Sequence, residues 1–146
     1  MAAFSIGRLS KRAGVKVPTI RYYESIGLLN APRRTEGGQR IYANADIERL
    51  AFIRHARELG FSMKMIRNLL HLQAQPSGDC RDVERIVRAQ LGEVRSRLSA
   101  LTALEQELLR LIDGCAGGRI DRCEIIAALN DHDRCVSDAH DPVASF

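Results

Sequence analysis

The pattern of apolar and polar positions predicts two short helices joined by a tight turn at the start of the chain. Ile6, Leu9 and Ala13 are spaced by three and four residues, so they share one face of a first helix. Gly14 follows where a helix-turn-helix uses a small turn residue. Pro18 is compatible with the first turn of a second helix, because its missing N–H has no partner there. Two such helices are the minimum that can place a helix in a DNA groove.

A strand–turn–strand pattern follows the two helices. Apolar residues lie on both sides of the Gly37-Gly38 pair, which predicts a hairpin over residues 30–42. Apolar spacing then predicts a third helix over residues 45–59 and a fourth over residues 63–72. Breaker residues between 75 and 80 end this pattern, so we predict that residues 1–75 form a first domain.

A long apolar stripe dominates the middle of the chain. It advances 28 residues in eight steps, or 3.5 residues per step, which is the period of a coiled coil. The stripe predicts a dimerisation helix over residues 80–113 that pairs with a second copy, parallel or antiparallel. Folding of this helix back onto the first domain is the alternative. The stripe consists of Val83, Val87, Leu91, Val94, Leu98, Leu101, Leu104, Leu108 and Leu111.

A cysteine-bounded loop follows the long helix. The helix is predicted to end at Asp113-Gly114-Cys115, and Cys123 opens a short apolar helix after a Gly-rich loop. We therefore divide the rest of the chain into a loop and short helix over residues 114–129 and a polar, flexible tail over residues 130–146. The predicted fold is mainly α, with a winged helix-turn-helix, a long helix and a C-terminal loop.

The charge is unevenly distributed along the chain. Residues 1–75 hold 13 Lys and Arg against five Asp and Glu, whereas residues 76–146 hold nine against 13. A basic first half is typical of a protein that binds a polyanion such as nucleic acid. No apolar run approaches the roughly 18 residues of a membrane span, and the N-terminus lacks the pattern of a signal peptide. We therefore expect a cytoplasmic protein that does not contact a membrane.

The four cysteines all lie in the second half of the chain. Disulfides are rare in a reducing cytoplasm, so clustered cysteines there more often bind metal. Cys115 and Cys123 are eight residues apart, and the loop between them could fold two thiolates onto one ion. Thiolates are ligands for soft or borderline metals and not for magnesium or calcium. No catalytic triad, phosphate loop or Cys-x-x-Cys pair is present, so an enzyme is not predicted.

Four segments of the first domain form a recognisable pattern, namely Ser5-Ile-Gly-Arg-Leu-Ser, Thr19-Ile-Arg-Tyr-Tyr-Glu, Ile26-Gly-Leu-Leu and Arg34-Thr-Glu-Gly-Gly-Gln-Arg-Ile-Tyr. In this order and spacing they resemble the MerR family of transcription regulators. The resemblance covers residues 4–72 and extends through the long helix and loop to about residue 129. It implies a homodimer with antiparallel long helices that binds double-stranded promoter DNA. It also implies that metal binding distorts the promoter for RNA polymerase and activates metal resistance or efflux genes.

Candidate DNA-binding residues lie on the second helix and in the hairpin, which is the wing of the fold. Arg21 suits a bidentate contact with a guanine edge or a phosphate. Tyr23 is expected to pack inward with its hydroxyl near the DNA backbone. In the wing, Arg34, Arg40 and Tyr42 match positions that hold the DNA backbone in family members. The complete set is Lys16, Thr19, Arg21, Tyr22, Tyr23, Arg34, Gln39, Arg40 and Tyr42.

A further cysteine, Cys80, lies before the long helix and indicates the class of metal. In an antiparallel dimer, Cys80 of one subunit can approach Cys115 and Cys123 of the other. With a cysteine at this position the chain resembles the sensors of divalent zinc, cadmium, lead and mercury. Sensors of monovalent copper, silver and gold carry Ser there. A divalent ion requires three or four ligands, and a third thiolate supplies one. His132 and Cys135 could add a further ligand.

Two alternatives remain within the family. The loop spacing between Cys115 and Cys123 equals that of copper sensors, so a copper(I)- or silver-responsive regulator is the first. A redox-sensing regulator is less favoured, because the cysteines of such relatives lie closer together in one loop than the cysteines of this chain do. A multidrug-binding relative would carry a large ligand domain after the coiled coil, and this chain is too short for one.

Overall fold

The computed structural model describes residues 3–131, in which helices predominate and a small antiparallel hairpin is the β-structure. The predicted fold class, mainly α with a winged helix-turn-helix, is confirmed. Each predicted helix is present with ends that differ by at most a few residues, whereas the 3₁₀ turn before the last helix was not expected. The elements are α1 Ile6–Ala13, α2 Val17–Ser25, β1 Arg33–Arg34, β2 Arg40–Ile41, α3 Asn44–Glu58, α4 Met63–Gln73, α5 Cys80–Asp113, a 3₁₀ turn Ile120–Arg122, and α6 Glu124–Asn130.

Local signals account for the geometry of the helix-turn-helix. The Ser5 hydroxyl accepts a hydrogen bond from the Arg8 N–H at 3.4 Å and caps α1. Gly14 ends α1 with a left-handed backbone, φ 66°, and its N–H donates to the Ser10 carbonyl at 3.0 Å. Pro18 lies in the first turn of α2, where its fixed φ fits the helix. The predicted turn at Gly14 is therefore confirmed.

One hydrophobic core lies beneath the helix-turn-helix and the wing. Leu9 of α1, Ile20 of α2, Leu50 of α3 and Ile66 of α4 are completely buried in it. Burying a side chain of this size stabilises the folded state by about 1.5–3 kcal/mol. Phe4 is also buried, and its backbone exchanges hydrogen bonds with the residue that follows β2. The core therefore holds α1, α2, α3 and α4 together.

One arginine of α3 and one of α4 bind backbone carbonyls just beyond the end of α2. Arg49 Nε donates to the Leu28 carbonyl at 2.7 Å, and Arg67 Nη2 donates to the Ile26 carbonyl at 2.6 Å. Both carbonyls lie just beyond the last turn of α2, where backbone acceptors lack helical partners. A cation is also favoured at the negative end of the helix dipole. These two arginines therefore fix the C-terminal end of α2 against α3 and α4.

The chain divides into two compact units, and the division falls after Ile86, within α5. In the first unit, Val83 and Ile86 pack against the core described above. In the second unit, Ala128 of α6 is buried and lines a cleft with Arg110 and Leu111 near the end of α5. Most of the predicted apolar stripe is exposed in the isolated chain, and Leu98 is 57% exposed. None of the described helices is long and apolar enough to cross a bilayer.

Candidate nucleic-acid interface and cysteine loop

Helix α2 presents polar side chains outward and apolar ones to the core. Ile20 and Tyr23 are buried, so Tyr23 packs inward as expected. Arg21 and Tyr22 lie on the opposite side and are exposed, with Tyr22 54% exposed. Thr19 is half-buried at the start of the same face. A helix whose exposed face carries Thr, Arg and Tyr offers hydrogen-bond donors and acceptors to base edges.

The wing is a two-strand hairpin with a closed turn. Arg34 of β1 lies opposite Arg40 of β2 in the antiparallel register. Within the turn, the Thr35 hydroxyl accepts from the Gln39 N–H at 3.1 Å, and the Gly38 N–H donates to the Thr35 carbonyl at 2.9 Å. Gly38 has φ 81°, a backbone conformation that glycine adopts without steric cost. The turn therefore holds the exposed Gln39 and both arginines on a defined scaffold.

A single cleft brings the predicted residues of α2 and the wing together. Its volume is about 510 Å³, and Ser5 and Ile6 at the start of α1 complete its wall. Three guanidinium groups and the positive end of a helix dipole meet here, which favours an anion such as a DNA phosphate. Lys16, which precedes α2, is also exposed. The predicted residues that line the cleft are Arg21, Arg34, Gln39 and Arg40.

Tyr42 lies in the core rather than on the surface expected of a residue that touches DNA. It is 2% exposed, and its hydroxyl donates a hydrogen bond to the Glu24 carboxylate. Burial, and then the hydrogen bond to Glu24, raise the pKa of Tyr42 well above its usual value. The backbone of Tyr42 pairs with that of Phe4, and its side chain belongs to the hydrophobic core. Tyr42 thus joins the segment after β2 to the core.

Glu24, an acidic residue beside Arg40, was not predicted from the sequence. Its carboxylate on α2 accepts from Tyr42 and lies 3.7 Å from the Arg40 guanidinium. The side chain of Glu24 is 10% exposed and that of Arg40 is 35% exposed. The available signal was that Glu24 is one of only five acidic residues in the first 75. A carboxylate in a segment rich in basic residues is a candidate for an internal ion pair or hydrogen bond.

Three cysteines lie at the ends of helices and carry free thiols. Cys80 is the first residue of α5 and is exposed, while Cys115 is exposed two residues after α5 ends. Cys123 is half-buried and precedes α6. Between the last two, Gly117 and Gly118 adopt φ 75° and 98°, which allows the chain to reverse within a short loop. Free thiols at these positions are suitable ligands for a soft metal ion.

The described residues do not assemble a complete metal site in one chain. Across residues 3–131, no group of three or more His, Cys, Asp or Glu side chains could together hold an ion. His132 and Cys135, the predicted accessory ligands, lie outside the described residues. The three-cysteine site therefore remains a prediction that involves a second copy of the chain.

Known protein families and a known regulator match this chain along most of its length. The family described as "MerR HTH family regulatory protein" matches residues 4–73, and that described as "MerR, DNA binding" matches residues 47–111. The regulator ZntR of Escherichia coli K12 is 43% identical over 129 residues, covering 86% of this chain and 92% of ZntR.

Solved structures of two regulators are also similar to this chain along most of its length. The regulator PbrR691 of Ralstonia metallidurans CH34, in complex with lead(II), is 39% identical with a TM-score of 0.77, covering 86% of this chain and 98% of PbrR691. MerR of Bacillus megaterium MB1, in complex with mercury(II), is 30% identical with a TM-score of 0.69, covering 87% of this chain and 99% of that MerR. These relatives are transcription regulators and not enzymes, which confirms that expectation. The chain belongs to the MerR family of helix-turn-helix transcription regulators.

Proposed function

We propose that this protein is a homodimeric transcription regulator that binds promoter DNA and responds to a divalent soft metal ion, namely zinc, cadmium, lead or mercury. The main support is the combination of a basic cleft on a MerR-family fold with three free cysteines, one at the start of α5 and two between α5 and α6. Two solved structures, PbrR691 with lead(II) and MerR of Bacillus megaterium with mercury(II), are similar to this chain over nearly their whole lengths.

DNA would meet the face on which α2 and the wing lie together. Helix α2 presents Arg21 and Tyr22, and it can enter the major groove as a recognition helix. The arginines of the wing, Arg34 and Arg40, are placed beside it in the same cleft and suit contacts with phosphates. The excess of basic residues over the first 75 positions supports binding to the phosphate backbone.

The exposed stripe of α5 supports dimerisation. Val87, Leu91, Leu98, Leu101 and Leu108 are each at least two-fifths exposed in the isolated chain. A contiguous apolar surface of this kind usually marks an interaction site. A second copy of the same helix supplies a surface with the same period, so the two stripes can bury each other.

An antiparallel dimer would complete the metal site. Helix α5 has 34 residues and is therefore about 51 Å long, with Cys80 at its start and Cys115 just beyond its end. Antiparallel pairing places the start of one helix beside the end of its partner. Cys80 of one subunit and Cys115 and Cys123 of the other then provide three thiolates, as a divalent soft ion requires. In this proposal, RNA polymerase reads a promoter that the metal-loaded dimer distorts, and genes of metal resistance or efflux are activated.

The cysteine variants test the proposal. Cys80→Ser should abolish the response to zinc, cadmium and lead, because a divalent ion keeps only two strong ligands. Cys115→Ser and Cys123→Ser should abolish the response to every metal, whereas Cys135→Ser should have a smaller effect. The first measurement is transcription in vitro. The second is a metal titration of the purified dimer, monitored by the ultraviolet absorption of metal–thiolate bonds. Both use zinc, cadmium, lead, mercury and copper(I) salts.

Gel-shift titration and sedimentation provide the controls. Each cysteine variant should bind DNA in the absence of metal and remain dimeric, because the thiols lie outside the cleft of α2 and the wing. A parent protein that responds only to copper(I) or silver, with Cys80→Ser indistinguishable from it, would contradict the divalent assignment and support the copper(I) alternative.

A further inference from the structure

Glu24 connects the recognition helix to the wing. Its carboxylate on α2 accepts a hydrogen bond from the Tyr42 hydroxyl and forms an ion pair with Arg40 at 3.7 Å. Both partners belong to the second half of the hairpin, which is joined to α2 in the chain only through residues 26–39. One carboxylate therefore links two elements that the proposed function assigns to different parts of the DNA.

The location of Glu24 is unfavourable for simple electrostatic attraction to DNA. A carboxylate beside Arg40 offsets part of the positive charge that this arginine contributes to the cleft. Affinity for phosphates that depends on charge alone would increase if this side chain were neutral. The position of Glu24 is therefore better explained by a role in fixing geometry than by a contribution to charge.

We infer that Glu24 is a positioning residue for sequence-specific DNA binding, which sets the register of Arg40 relative to the base-contacting face of α2 without touching DNA. This inference rests on the proposed DNA-binding function. Specific binding requires base contacts from α2 and phosphate contacts from the wing at the same time, so their relative placement matters. Non-specific binding depends mainly on the number of positive charges and tolerates a mobile wing.

The geometry suits a positioning role. At 3.7 Å the Glu24–Arg40 pair is too long for a hydrogen bond, so it orients the guanidinium without committing an N–H to Glu24. The carboxylate is itself held by the buried Tyr42, which makes it a fixed reference point. Arg40, at 35% exposed, is still accessible to a phosphate.

The test is Glu24→Gln in the full-length dimer. The amide oxygen can still accept from Tyr42, so the substitution removes the charge that orients Arg40 and keeps the shape. The probes are a duplex that the wild-type protein enriches from a random 30-base-pair library and a scrambled duplex of the same composition. Gel-shift titration at one salt concentration should show that the ratio of specific to non-specific affinity decreases roughly three- to fivefold.

Two further variants make the interpretation specific. Glu36→Gln removes an exposed carboxylate from the wing turn, and it should raise affinity for both duplexes by similar factors, leaving the ratio unchanged. Arg40→Ala should weaken binding to both duplexes, since it removes a phosphate contact. In the Arg40→Ala background, Glu24→Gln should no longer change the ratio, because the group that it orients is absent.

The outcomes separate the inference from the proposed function. If Glu24→Gln raises both affinities as Glu36→Gln does, or lowers both together with the melting temperature, the positioning role is wrong. A decrease in the ratio that persists in the Arg40→Ala background would also overturn it, because Glu24 would then act through another group. If the wild-type protein enriches no duplex, the DNA-binding proposal fails and the inference fails with it.

Discussion

Gly14 lies in the turn of the helix-turn-helix and is subject to two separate constraints. Its φ of 66° is left-handed, and a Cβ at this position would lie well inside van der Waals contact with the Arg54 guanidinium. Gly14→Ala therefore adds a backbone strain of about 1 kcal/mol. It also displaces the Arg54 side chain, whose Nη1 donates to the Ala13 carbonyl at 3.3 Å. Losing that hydrogen bond costs roughly another 1 kcal/mol. We expect Gly14→Ala to lower the free energy of unfolding by about 2 kcal/mol in all.

Gly38→Ala is the matched control, because Gly38 has φ 81° and nothing lies within 4 Å of a Cβ placed there. It should cost only the backbone strain of about 1 kcal/mol. Urea unfolding at one fixed protein concentration measures both, since the stability of a dimer depends on concentration. In an Arg54→Ala background the two glycine substitutions should cost the same. If Gly14→Ala still costs about 1 kcal/mol more there, the contact with Arg54 is not the source of the difference.

Three further perturbations test other parts of the molecule. Arg21→Ala should weaken operator binding by about 1–3 kcal/mol and relax base preference, and unchanged affinity in gel-shift titrations would refute the placement of α2 in the groove. Leu98→Glu should produce a monomer in sedimentation experiments, because it buries an unpaired charge in the α5 pair; a parent protein that is already monomeric would refute the dimer. Because the pKa of Tyr42 is raised in the folded state, its neutral form stabilises the fold. The contribution of Tyr42 to the free energy of unfolding should be fully present below about pH 10 and should decrease as the pH rises above that value. Tyr42→Phe should lose stability less steeply above pH 10 than wild type in chemical denaturation, and equal slopes would contradict the assignment.

Local signals account for the ends of several helices in this protein. Ser5 caps α1 and Ser62 caps α4, each by accepting an N–H three residues ahead, so the signal and its effect lie within one turn. Gly14 is equally local, because its positive φ ends a helix whatever the helix packs against. The 3.5-residue period of the apolar stripe likewise predicted one continuous helix from Cys80 to Asp113.

The candidate DNA-binding face was only partly predictable. Residue type and family resemblance predict that Arg21, Arg34 and Arg40 contact DNA, and all three line the same cleft. The same reasoning predicts a DNA contact for Tyr42, yet Tyr42 is buried. A tyrosine has an apolar ring and a polar hydroxyl, so its residue type is compatible with both a surface contact and a satisfied position in the core.

By itself, the sequence determined the order of the elements, the ends of the helices, the basic character of the first half and the cysteines that could bind metal. These features depend on interactions within a few residues or on composition alone. Only the tertiary structure decided that Glu24 joins α2 to the wing and that Tyr42 lies in the core. The Tyr42–Glu24 hydrogen bond joins residues 18 positions apart, and Arg67 reaches the Ile26 carbonyl across 41 positions. Pairings of this kind are set by how the core packs the helices together, and no periodic pattern along the chain encodes them.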